Sequence, residues 1–389
     1  MRQRMAERIR DVGTSIFTEM SALAARHQAI NLSQGFPDFA GPEFVKRAAV
    51  AAIDADLNQY APSHGLRPLR EAVARSWLRH HGRELDAEAE ITVTSGATEA
   101  LLAAVLAVVD PGDEVIVFEP FYDAYPPDVA MAGGTPRFVR LAEPDWALPL
   151  DELRATVTPR TRAILLNTPH NPVGKVFGRA ELEAIAGLAR EHDLLVISDE
   201  VYERLVFDGA AHVPIATLPG MWERTLTISS TGKTFSLTGW KVGYVVAAPE
   251  LTAALRRVHQ FMTFATATPF QSAMAAALDA GAAYERELLD FYTARRDELV
   301  AALRSAGFGV APPAGTYFVM ADIRPFGWDD DVAFCRYLTS EIGVAAIPPS
   351  AFYHDAHQTG MARFCFAKRP ETIAAAADRL QRLRPAGGA

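Results

Sequence analysis

Short apolar runs rich in β-branched residues alternate with helical patterns through the middle of the chain, and this alternation limits the fold more than any other feature. Each run is four or five residues long and is bounded by glycine, proline or polar residues. Strands of this kind, separated by helices, form a mostly parallel sheet that helices cover on both faces, so we predict an α/β fold. The predicted strands are 91–94, 114–118, 163–167, 194–198, 225–229 and 242–246, and the predicted helices between them include 97–109 and 182–191.

The pattern changes near residue 280. A long amphipathic helix is predicted over 285–306, then a mixed stretch of strand, turn and helix over 307–338, a final helix over 371–383 and a loose tail at 385–389. We therefore predict a large domain over 46–279 and a smaller α+β domain over 280–389. Residues 1–45 are expected to form an N-terminal arm and part of the smaller domain.

The charge balance and the apolar segments exclude several classes of protein. The 389 residues carry a net charge of -9 with no long run of lysine or arginine, whereas nucleic-acid binders usually show a basic surplus. No apolar stretch reaches the ~18 residues that a membrane-spanning helix needs, and no apolar segment of a secretory signal follows the charged N-terminus. We expect a cytoplasmic protein that binds neither membrane nor nucleic acid.

The two cysteines, Cys335 and Cys365, lie far apart and lack a CxxC spacing. Free thiols in a reducing compartment are the expectation, and a disulfide or a catalytic cysteine are the alternatives. We predict no metal site.

Two short motifs around Lys233 match known enzyme signatures only in part. Ser230-Thr-Gly-Lys233-Thr234 resembles the end of a phosphate-binding P-loop, but that motif needs its first glycine where this chain has Thr227. The Ser-x-x-Lys spacing also occurs in penicillin-recognising serine enzymes, which need Ser-Asp-Asn and Lys-Thr-Gly elements that this sequence lacks. We therefore predict neither an ATPase nor a penicillin-recognising enzyme.

Open α/β sheets bind their ligands beyond the C-terminal ends of the strands, so the residues that follow each predicted strand are the candidates. Gly96, Ala97 and Thr98 open a helix, where backbone N–H groups and the helix dipole favour an anion such as phosphate, with a plain helix cap as the alternative. Tyr122 can stack its ring on a flat ligand, although a lone aromatic residue is more often part of a core.

Polar residues follow three further strands. Asn171 lies in a tight turn and either donates to a ligand or serves the turn alone. Asp199 ends a buried strand with Tyr202 three residues on, and its carboxylate needs a partner there, either a ligand or a structural cation. Lys233 lies in apolar, glycine-rich surroundings that can lower its pKa and make the amine a nucleophile, with a surface lysine as the alternative. An anion site, an aromatic plate, an acid and a lysine together are what pyridoxal phosphate requires.

At these residues the sequence resembles the class I/II aminotransferases, which are pyridoxal-phosphate enzymes of fold type I. The resemblance runs from Asn31-Leu-Ser-Gln-Gly-Phe-Pro-Asp-Phe39 through Asn58-Gln-Tyr60 to Met361-Ala-Arg363-Phe-Cys-Phe366. The segments Lys233-Thr-Phe-Ser-Leu-Thr-Gly-Trp-Lys241-Val-Gly-Tyr and Gly315-Thr-Tyr-Phe318 are close to the kynurenine/glutamine transaminase and methionine aminotransferase branch. Bacterial succinyldiaminopimelate aminotransferases are similar too. The resemblance implies a three-layer α/β/α large domain with a mostly parallel sheet, and a smaller α+β domain.

The resemblance also implies a role for each candidate around the cofactor, pyridoxal 5'-phosphate. Lys233 bonds its aldehyde and moves the proton, and Asp199 pairs with its ring nitrogen. Asn171 and Tyr202 donate to its ring hydroxyl oxygen, and Tyr122 stacks on the ring. The phosphate is held by Gly96, Ala97, Thr98, Ser230 and Lys241 and, from a neighbouring subunit, by Tyr60. Many aminotransferases have arginine in place of Lys241, but the kynurenine-transaminase branch has lysine.

The substrate residues are implied in the same way. Arg363 binds the α-carboxylate as a bidentate fork, beside the backbone of Gly35. Phe264 comes from the neighbouring subunit, so a homodimer with shared active sites is expected. Phe17 adds to the aromatic lining of the substrate pocket, and Asn171 also contacts the substrate.

We therefore predict a ping-pong aminotransferase that acts on neutral, sizeable donors such as methionine, glutamine, kynurenine or aromatic amino acids. No motif position offers a second arginine for a side-chain carboxylate. A cysteine-S-conjugate β-lyase and an N-succinyldiaminopimelate aminotransferase are the alternatives, and the latter would need a basic group for the distal carboxylates. An aminotransferase-like transcription regulator would need an added basic DNA-binding domain, for which the first 45 residues are too few.

Overall fold

The computed structural model describes residues 6–10 and 12–384, so the tail predicted at 385–389 lies outside the described residues. Strands and helices alternate as expected, and the boundaries of the predicted strands lie within two residues of those observed. The strands are β1 (Ile30–Asn31), β2 (Ile91–Thr94), β3 (Glu114–Glu119), β4 (Thr135–Arg140), β5 (Thr161–Asn167), β6 (Leu195–Asp199), β7 (Thr225–Ser230), β8 (Gly243–Ala247), β9 (Gly309–Val310), β10 (Phe318–Asp322), β11 (Val344–Ala345) and β12 (Met361–Cys365). The α-helices are α1 (Ile16–Arg26), α2 (Glu43–Asp54), α3 (Arg67–His81), α4 (Gly96–Val108), α5 (Tyr125–Met131), α6 (Leu150–Thr156), α7 (Arg179–Glu191), α8 (Thr231–Thr234), α9 (Pro249–Met262), α10 (Thr268–Asp279), α11 (Gly281–Ser305), α12 (Asp331–Tyr337) and α13 (Pro370–Leu380).

The central sheet has the strand order β2-β8-β7-β6-β5-β3-β4. The neighbours from β7 to β4 run parallel, whereas β8 runs antiparallel to both β2 and β7. Only residues 231–242 connect β7 to β8, and they contain the four-residue helix α8. With an α-helix of only four residues, this connection lacks the crossover helix that usually links parallel neighbours, and the chain turns back so that β8 breaks the parallel pattern.

Helices cover both faces of this sheet, which confirms the predicted α/β fold. On one face, α4, α5 and α9 enclose a core that contains Leu101, Val117 and Val245. On the opposite face, α7 encloses a second core that contains Ile116 and Leu182. Every residue of β3 is buried, because its side chains pack alternately against the helices of the two faces.

The C-terminal part has a small sheet of its own and also receives the start of the chain. β10 lies between β12 and β9 and is antiparallel to both. β1 pairs in parallel with β11, with Ile30 opposite Val344. Met20 of α1 and Leu32 pack in the same core as Phe364 of β12. The domain boundaries after residues 45 and 279 stay a prediction.

Among the described residues, none of the helices has both the length and the apolar character that a bilayer crossing requires. The same residues contain no group of three or more histidine, cysteine, aspartate or glutamate side chains that could hold a metal ion. Cys335 and Cys365 are both buried and unpaired. The cytoplasmic location stays a prediction.

Candidate active site

A pocket of about 660 Å³ lies at the C-terminal ends of the parallel strands, where the sequence predicts a ligand. It brings together every residue predicted to contact the cofactor except Tyr60. The lining residues are Gly96, Ala97, Thr98, Leu101, Tyr122, Tyr125, Asn167, Asn171, Asp199, Val201, Tyr202, Ser230, Lys233, Thr238 and Lys241.

A second pocket, of about 470 Å³, adjoins the first and shares four side chains with it. It contains every residue predicted to contact the substrate except Phe264. Lys233 lines both pockets, so its amine can reach a ligand in either. The shared residues are Tyr122, Asn171, Tyr202 and Lys233, and the second pocket is further lined by Phe17, Gln34, Gly35, Phe318 and Arg363.

Asp199 supplies a buried carboxylate at the end of β6. Its Oδ2 accepts a hydrogen bond of 2.7 Å from the hydroxyl of Tyr125, and its Oδ1 accepts one of 3.3 Å from the backbone N–H of Val201. Burial raises the pKa of the Asp199 carboxyl to about 6, against these two hydrogen bonds and the charge of Lys233, which lower it. Among the described residues no cationic side chain forms an ion pair with Asp199, so its charge is available to a ligand.

Lys233 lies on α8 with its amine close to aromatic rings. Its Nζ donates a hydrogen bond of 2.9 Å to the hydroxyl of Tyr317 and lies 5.6 Å from the ring centre of Tyr202. Burial lowers the pKa of this amine to about 8, and neighbouring charges of both signs add smaller effects. An amine with this pKa is partly neutral near pH 7 and can act as a nucleophile or as a base.

The start of α4 and the side chain of Lys241 form the polar end of the first pocket. Lys241 donates a hydrogen bond of 3.1 Å to the hydroxyl of Thr98. Gly96 has a φ of +73°, and a Cβ there would lie 3.2 Å from Cε of Lys241. A Cβ on Gly243 would lie 2.7 Å from the carbonyl carbon of Gly96. Glycine at both positions thus allows the ammonium group and the N-terminal N–H groups of α4 to lie close enough to bind one anion.

Arg363 lies in the second pocket and is completely buried. It donates to Oδ1 of Asn171 at 2.7 Å and to the backbone carbonyl of Ser33 at 2.9 Å, and its Nε has no partner among the described residues. Its guanidinium lies 3.9 Å from the ring centre of Phe318 and 5.0 Å from that of Phe17. Burial lowers the pKa of Arg363 to about 10. A buried cation held by neutral groups favours an anionic ligand.

Two predicted site residues, Tyr60 and Phe264, lie outside both pockets of this chain. Their rings meet edge to face, with centroids 5.3 Å apart. Tyr60 is 86% exposed and Phe264 46% exposed. Their contribution to an active site would require a second chain, so their roles stay predictions.

Sequence reasoning missed three groups that the structure brings to the site. Tyr125 donates to the Asp199 carboxylate, and Nδ2 of Asn167 donates to the Asp199 backbone carbonyl at 2.9 Å. Tyr317 accepts the hydrogen bond from Lys233. Signals for two of them exist, since Tyr125 follows Tyr122 by three residues and Asn167 ends the strand next to that of Asp199. Tyr317 lies in a segment that carries the family resemblance but has no role implied by it.

Comparisons with known proteins agree with the fold. Residues 27–380 match the family described as "Aminotransferase class I and II". The chain is similar to the solved structure of N-succinyldiaminopimelate aminotransferase from Mycobacterium tuberculosis, with a TM-score of 0.95 and 49% identity, covering 98% of this chain and 100% of that one. It is 46% identical to methionine aminotransferase of Escherichia coli, over 96% of each chain. It is 43% identical to kynurenine–oxoglutarate transaminase of Dictyostelium discoideum, over 96% of this chain and 94% of the relative.

Proposed function

The chain belongs to the class I and II aminotransferases, and we propose that it transfers the amino group of a neutral, sizeable L-amino acid to a 2-oxo acid, with pyridoxal 5'-phosphate as its cofactor. The observation that carries this proposal is the pair of adjoining pockets, with Lys233 in both and the buried cation of Arg363 in the second. The first pocket fits a phosphorylated aromatic ring, and the second fits an amino acid bound by its α-carboxylate.

The groups that line the first pocket match the chemistry of pyridoxal 5'-phosphate. Ser230, Lys241 and the N-terminus of α4 would hold its phosphate, and Asp199 would keep its ring nitrogen protonated. The amine of Lys233 would bond its aldehyde. When bound, this cofactor supplies a ring that withdraws electrons and makes the α-proton of the substrate acidic. Its ring oxygen and ring face would contact Asn171, Tyr202 and Tyr122.

Arg363 and Lys233 would act on the substrate in turn. The guanidinium of Arg363 would bind the α-carboxylate as a fork and thereby hold the α-carbon near Lys233. Nζ of Lys233 would then remove the α-proton, because it is a base that reaches both pockets. With a pKa of about 8, about one tenth of this amine is neutral at pH 7, compared with about one in three thousand for an ordinary lysine. The same residues would serve the second, reverse half-reaction, which makes the reaction ping-pong.

The second pocket favours donors with neutral side chains. Phe17, Tyr122 and Phe318 give it aromatic walls. Of the cations that line it, Arg363 would bind the α-carboxylate and Lys233 would transfer the proton. Neither is then available to bind a side-chain carboxylate. Methionine, glutamine, kynurenine and aromatic amino acids fit these surroundings.

A second candidate function is transfer of an amino group from N-succinyldiaminopimelate, which the name of the Mycobacterium tuberculosis relative suggests. A wide cleft of about 1740 Å³ adjoins the second pocket at Phe17 and Tyr122 and also contains Arg8. A long donor could extend through this cleft and pair a distal carboxylate with Arg8. The β-lyase alternative would use the residues proposed for transamination, and release of pyruvate from an S-conjugate without an added oxo acid would reveal it.

We also propose a homodimer with active sites built from two chains. The exposed rings of Tyr60 and Phe264 contact each other, and Phe261, three residues before Phe264 in the chain, is 88% exposed. Large aromatic side chains that are exposed in a single chain are typical of a surface that a partner covers. In the dimer, Tyr60 would contact the cofactor phosphate of the neighbouring chain and Phe264 would face its substrate.

A donor and acceptor screen on the purified holoenzyme tests the proposal. We expect methionine, glutamine or aromatic donors to give the highest kcat/KM. Lys233→Ala should abolish transamination and the visible absorbance of the covalently bound cofactor. Lys46→Ala is the matched control, because Lys46 is a partly exposed residue of α2 that pairs with Glu43. A Lys233→Ala protein with full activity, or a strong preference for aspartate, would contradict the proposal.

A further inference from the structure

A tyrosine to which the proposed function gives no role connects Lys233 to the substrate pocket. Nζ of Lys233 lies 2.9 Å from the hydroxyl of Tyr317, and that hydroxyl lies 2.6 Å from the backbone carbonyl of Gly35. Tyr317 is completely buried, and Gly35 lines the second pocket together with Arg363. Two consecutive hydrogen bonds thus run from the proposed base to the segment that lines the substrate site.

The directions of these two hydrogen bonds follow from the available donors and acceptors. The carbonyl of Gly35 can only accept, so Tyr317 must donate its single O–H proton to it. Toward Lys233 the phenol oxygen can then only accept, and Lys233 must donate an N–H. In the neutral amine, this arrangement leaves the nitrogen lone pair directed away from Tyr317.

We propose that Tyr317 is a positioning residue that holds the free amine of Lys233 by accepting one N–H, so that the nitrogen lone pair stays open to the α-proton of the substrate. The proposal rests on the proposed function, in which Lys233 is the base. In that step the α C–H bond breaks, its proton bonds to the lone pair of Nζ, and its electron pair stays with the substrate. Tyr317 keeps its own proton, which stays hydrogen-bonded to the carbonyl oxygen of Gly35.

The surrounding structure holds the phenol of Tyr317 in place. Its ring packs edge-on against Tyr202 and Phe318, with centroids 5.1 and 4.8 Å away, and stacks on Tyr292 at 6.0 Å. Thr316, the residue before it, has a φ of 66°, which is rare for a β-branched residue. Strained backbone of this kind persists only where the surroundings enforce it and is common at functional sites. The position of this hydroxyl is therefore specified by packing on all sides.

The amine of Lys233 is also sensitive to the charges around it. Burial has the largest effect and lowers its pKa to about 8. An acceptor such as the Tyr317 oxygen stabilises an ammonium more than a neutral amine, so loss of that oxygen should lower the pKa further. The titratable and charged groups that face the amine are Asp199 and Cys365, which raise its pKa, Lys241 and Arg363, which lower it, and the ring of Tyr202.

Tyr317→Phe tests the proposal, because it removes the hydroxyl and keeps the ring. With the preferred donor we expect kcat to fall about tenfold and KM to stay within about twofold, since orientation of the base is lost and substrate binding is not. The isotope effect on kcat with an α-deuterated donor should rise, because proton removal becomes slower than the other steps. In the cofactor-free chain, the rate of pyridoxal 5'-phosphate uptake, followed by visible absorbance against pH, should show an apparent pKa lower by about one.

Two further variants separate positioning from packing. Tyr292→Phe removes a neighbouring buried hydroxyl, which lies 3.4 Å from the hydroxyl of Ser236. It should leave kcat, the isotope effect and the uptake pKa unchanged. Tyr317→3-fluorotyrosine keeps the shape of the side chain and weakens its oxygen as an acceptor, so it should give smaller changes in the same direction. This second variant still tests the positioning role if Tyr317→Phe folds poorly.

Several outcomes would overturn the proposal. One is a Tyr317→Phe enzyme with unchanged kcat, isotope effect and uptake pKa. Another is a loss of kcat without a change in the isotope effect or the uptake pKa, since that would assign Tyr317 a packing role alone. If the unaltered chain itself fails to transaminate, the proposed function fails instead, and the two failures are thereby distinguished.

Discussion

Asp123 lies beside the substrate pocket, and nothing in the proposed reaction requires it. It follows Tyr122, accepts a hydrogen bond from the hydroxyl of Ser15 and lines the cleft that adjoins the pocket. Burial raises the pKa of its carboxyl while the charge of Arg363 lowers it, so the two charges act on each other. We predict that Asp123→Asn raises kcat/KM for a dicarboxylic donor about fivefold relative to methionine, because removal of one repulsive charge is worth ~1 kcal/mol. Steady-state kinetics with both donors measure this ratio.

Glu19→Gln is the matched control for this substitution. Glu19 lines the same cleft, but its carboxylate pairs with Arg336 at 2.6 Å. Its removal should leave the ratio of the two donors within about twofold, because an exposed ion pair exerts little net field. An equal change in both variants would show that the total charge of the cleft, rather than Asp123, sets the preference.

The charges of Asp199 and Lys233 could be predicted from the sequence pattern, whereas the side chains that they contact could not. Asp199 and Lys233 stand out because a charge at the end of a buried strand is costly without a partner. Tyr317 lies in an apolar segment, where a tyrosine has the same pattern as any core residue, and the spacing of Tyr125 from Tyr122 does not show which group its hydroxyl contacts. Only the fold brings their hydroxyls to Asp199 and Lys233, across 74 and 84 positions of the chain.

At the level of secondary-structure elements, β8 and α4 are in direct backbone contact. Gly243 begins β8, and a Cβ there would lie 2.7 Å from the carbonyl carbon of Gly96 at the start of α4. Both atoms belong to the backbone, so no side-chain rotation relieves the clash. We predict that Gly243→Ala lowers the free energy of unfolding by about 1–3 kcal/mol and weakens cofactor binding, because α4 must shift. Urea unfolding of the cofactor-free chain and a cofactor titration measure the two effects.

Gly239→Ala provides the comparison for Gly243→Ala. Gly239 lies four residues earlier, and a Cβ there would meet no atom within 4 Å. We expect its stability and its cofactor affinity to match those of the unaltered chain. Equal stability of the two variants would contradict the contact between β8 and α4.

The strands could be predicted from sequence more easily than their directions. Val242-Gly-Tyr-Val-Val was predicted as a strand, and β8 begins one residue later. Its apolar pattern is the same as that of the parallel strands, because it too is buried on both faces. Direction depends on whether the connection from β7 contains a crossover helix, which is a property of two strands and their link rather than of either strand.

For the whole molecule, stability should depend on pH through His170. Its imidazole is buried, and burial, together with the charge of Lys175, lowers its pKa to about 3. In the unfolded chain the pKa returns to about 6.5, so between these values only the unfolded chain binds the proton. This contribution to stability is therefore fully present above about pH 6.5 and is lost as the pH falls toward 3.

The free energy of unfolding should fall between pH 7.5 and pH 5.5, and we predict that this fall is smaller by about 1 kcal/mol in His170→Gln than in the unaltered chain. Urea unfolding of the cofactor-free chain at these two pH values gives the difference. His27→Gln, at an exposed position after α1, should leave the loss unchanged. An identical loss in the unaltered chain and in His170→Gln would mean that the buried imidazole does not titrate in this range.

Tyr60 and Phe264, the two predicted site residues outside the pockets, would have a function only in the proposed dimer. Tyr60 and Phe264 are exposed, in contact with each other and separate from the pockets of their own chain. The proposed dimer explains this arrangement, because each chain would complete the site of the other. Sequence pattern alone cannot reveal it, since an exposed tyrosine has the same pattern whether or not a second chain covers it.

Hybrid dimers made from two differently tagged chains test this sharing. If Tyr60 acts across the interface, a hybrid of Lys233→Ala and Tyr60→Ala chains contains one site with both Lys233 and Tyr60, and we predict about half the activity of the unaltered dimer. The matched hybrid combines an unaltered chain with a chain carrying both substitutions, so that one site lacks Tyr60 and the other lacks Lys233. It should have no more activity than the Tyr60→Ala homodimer. If Tyr60 acted within its own chain, the two hybrids would exchange their activities, and a monomer in solution would contradict the shared site outright.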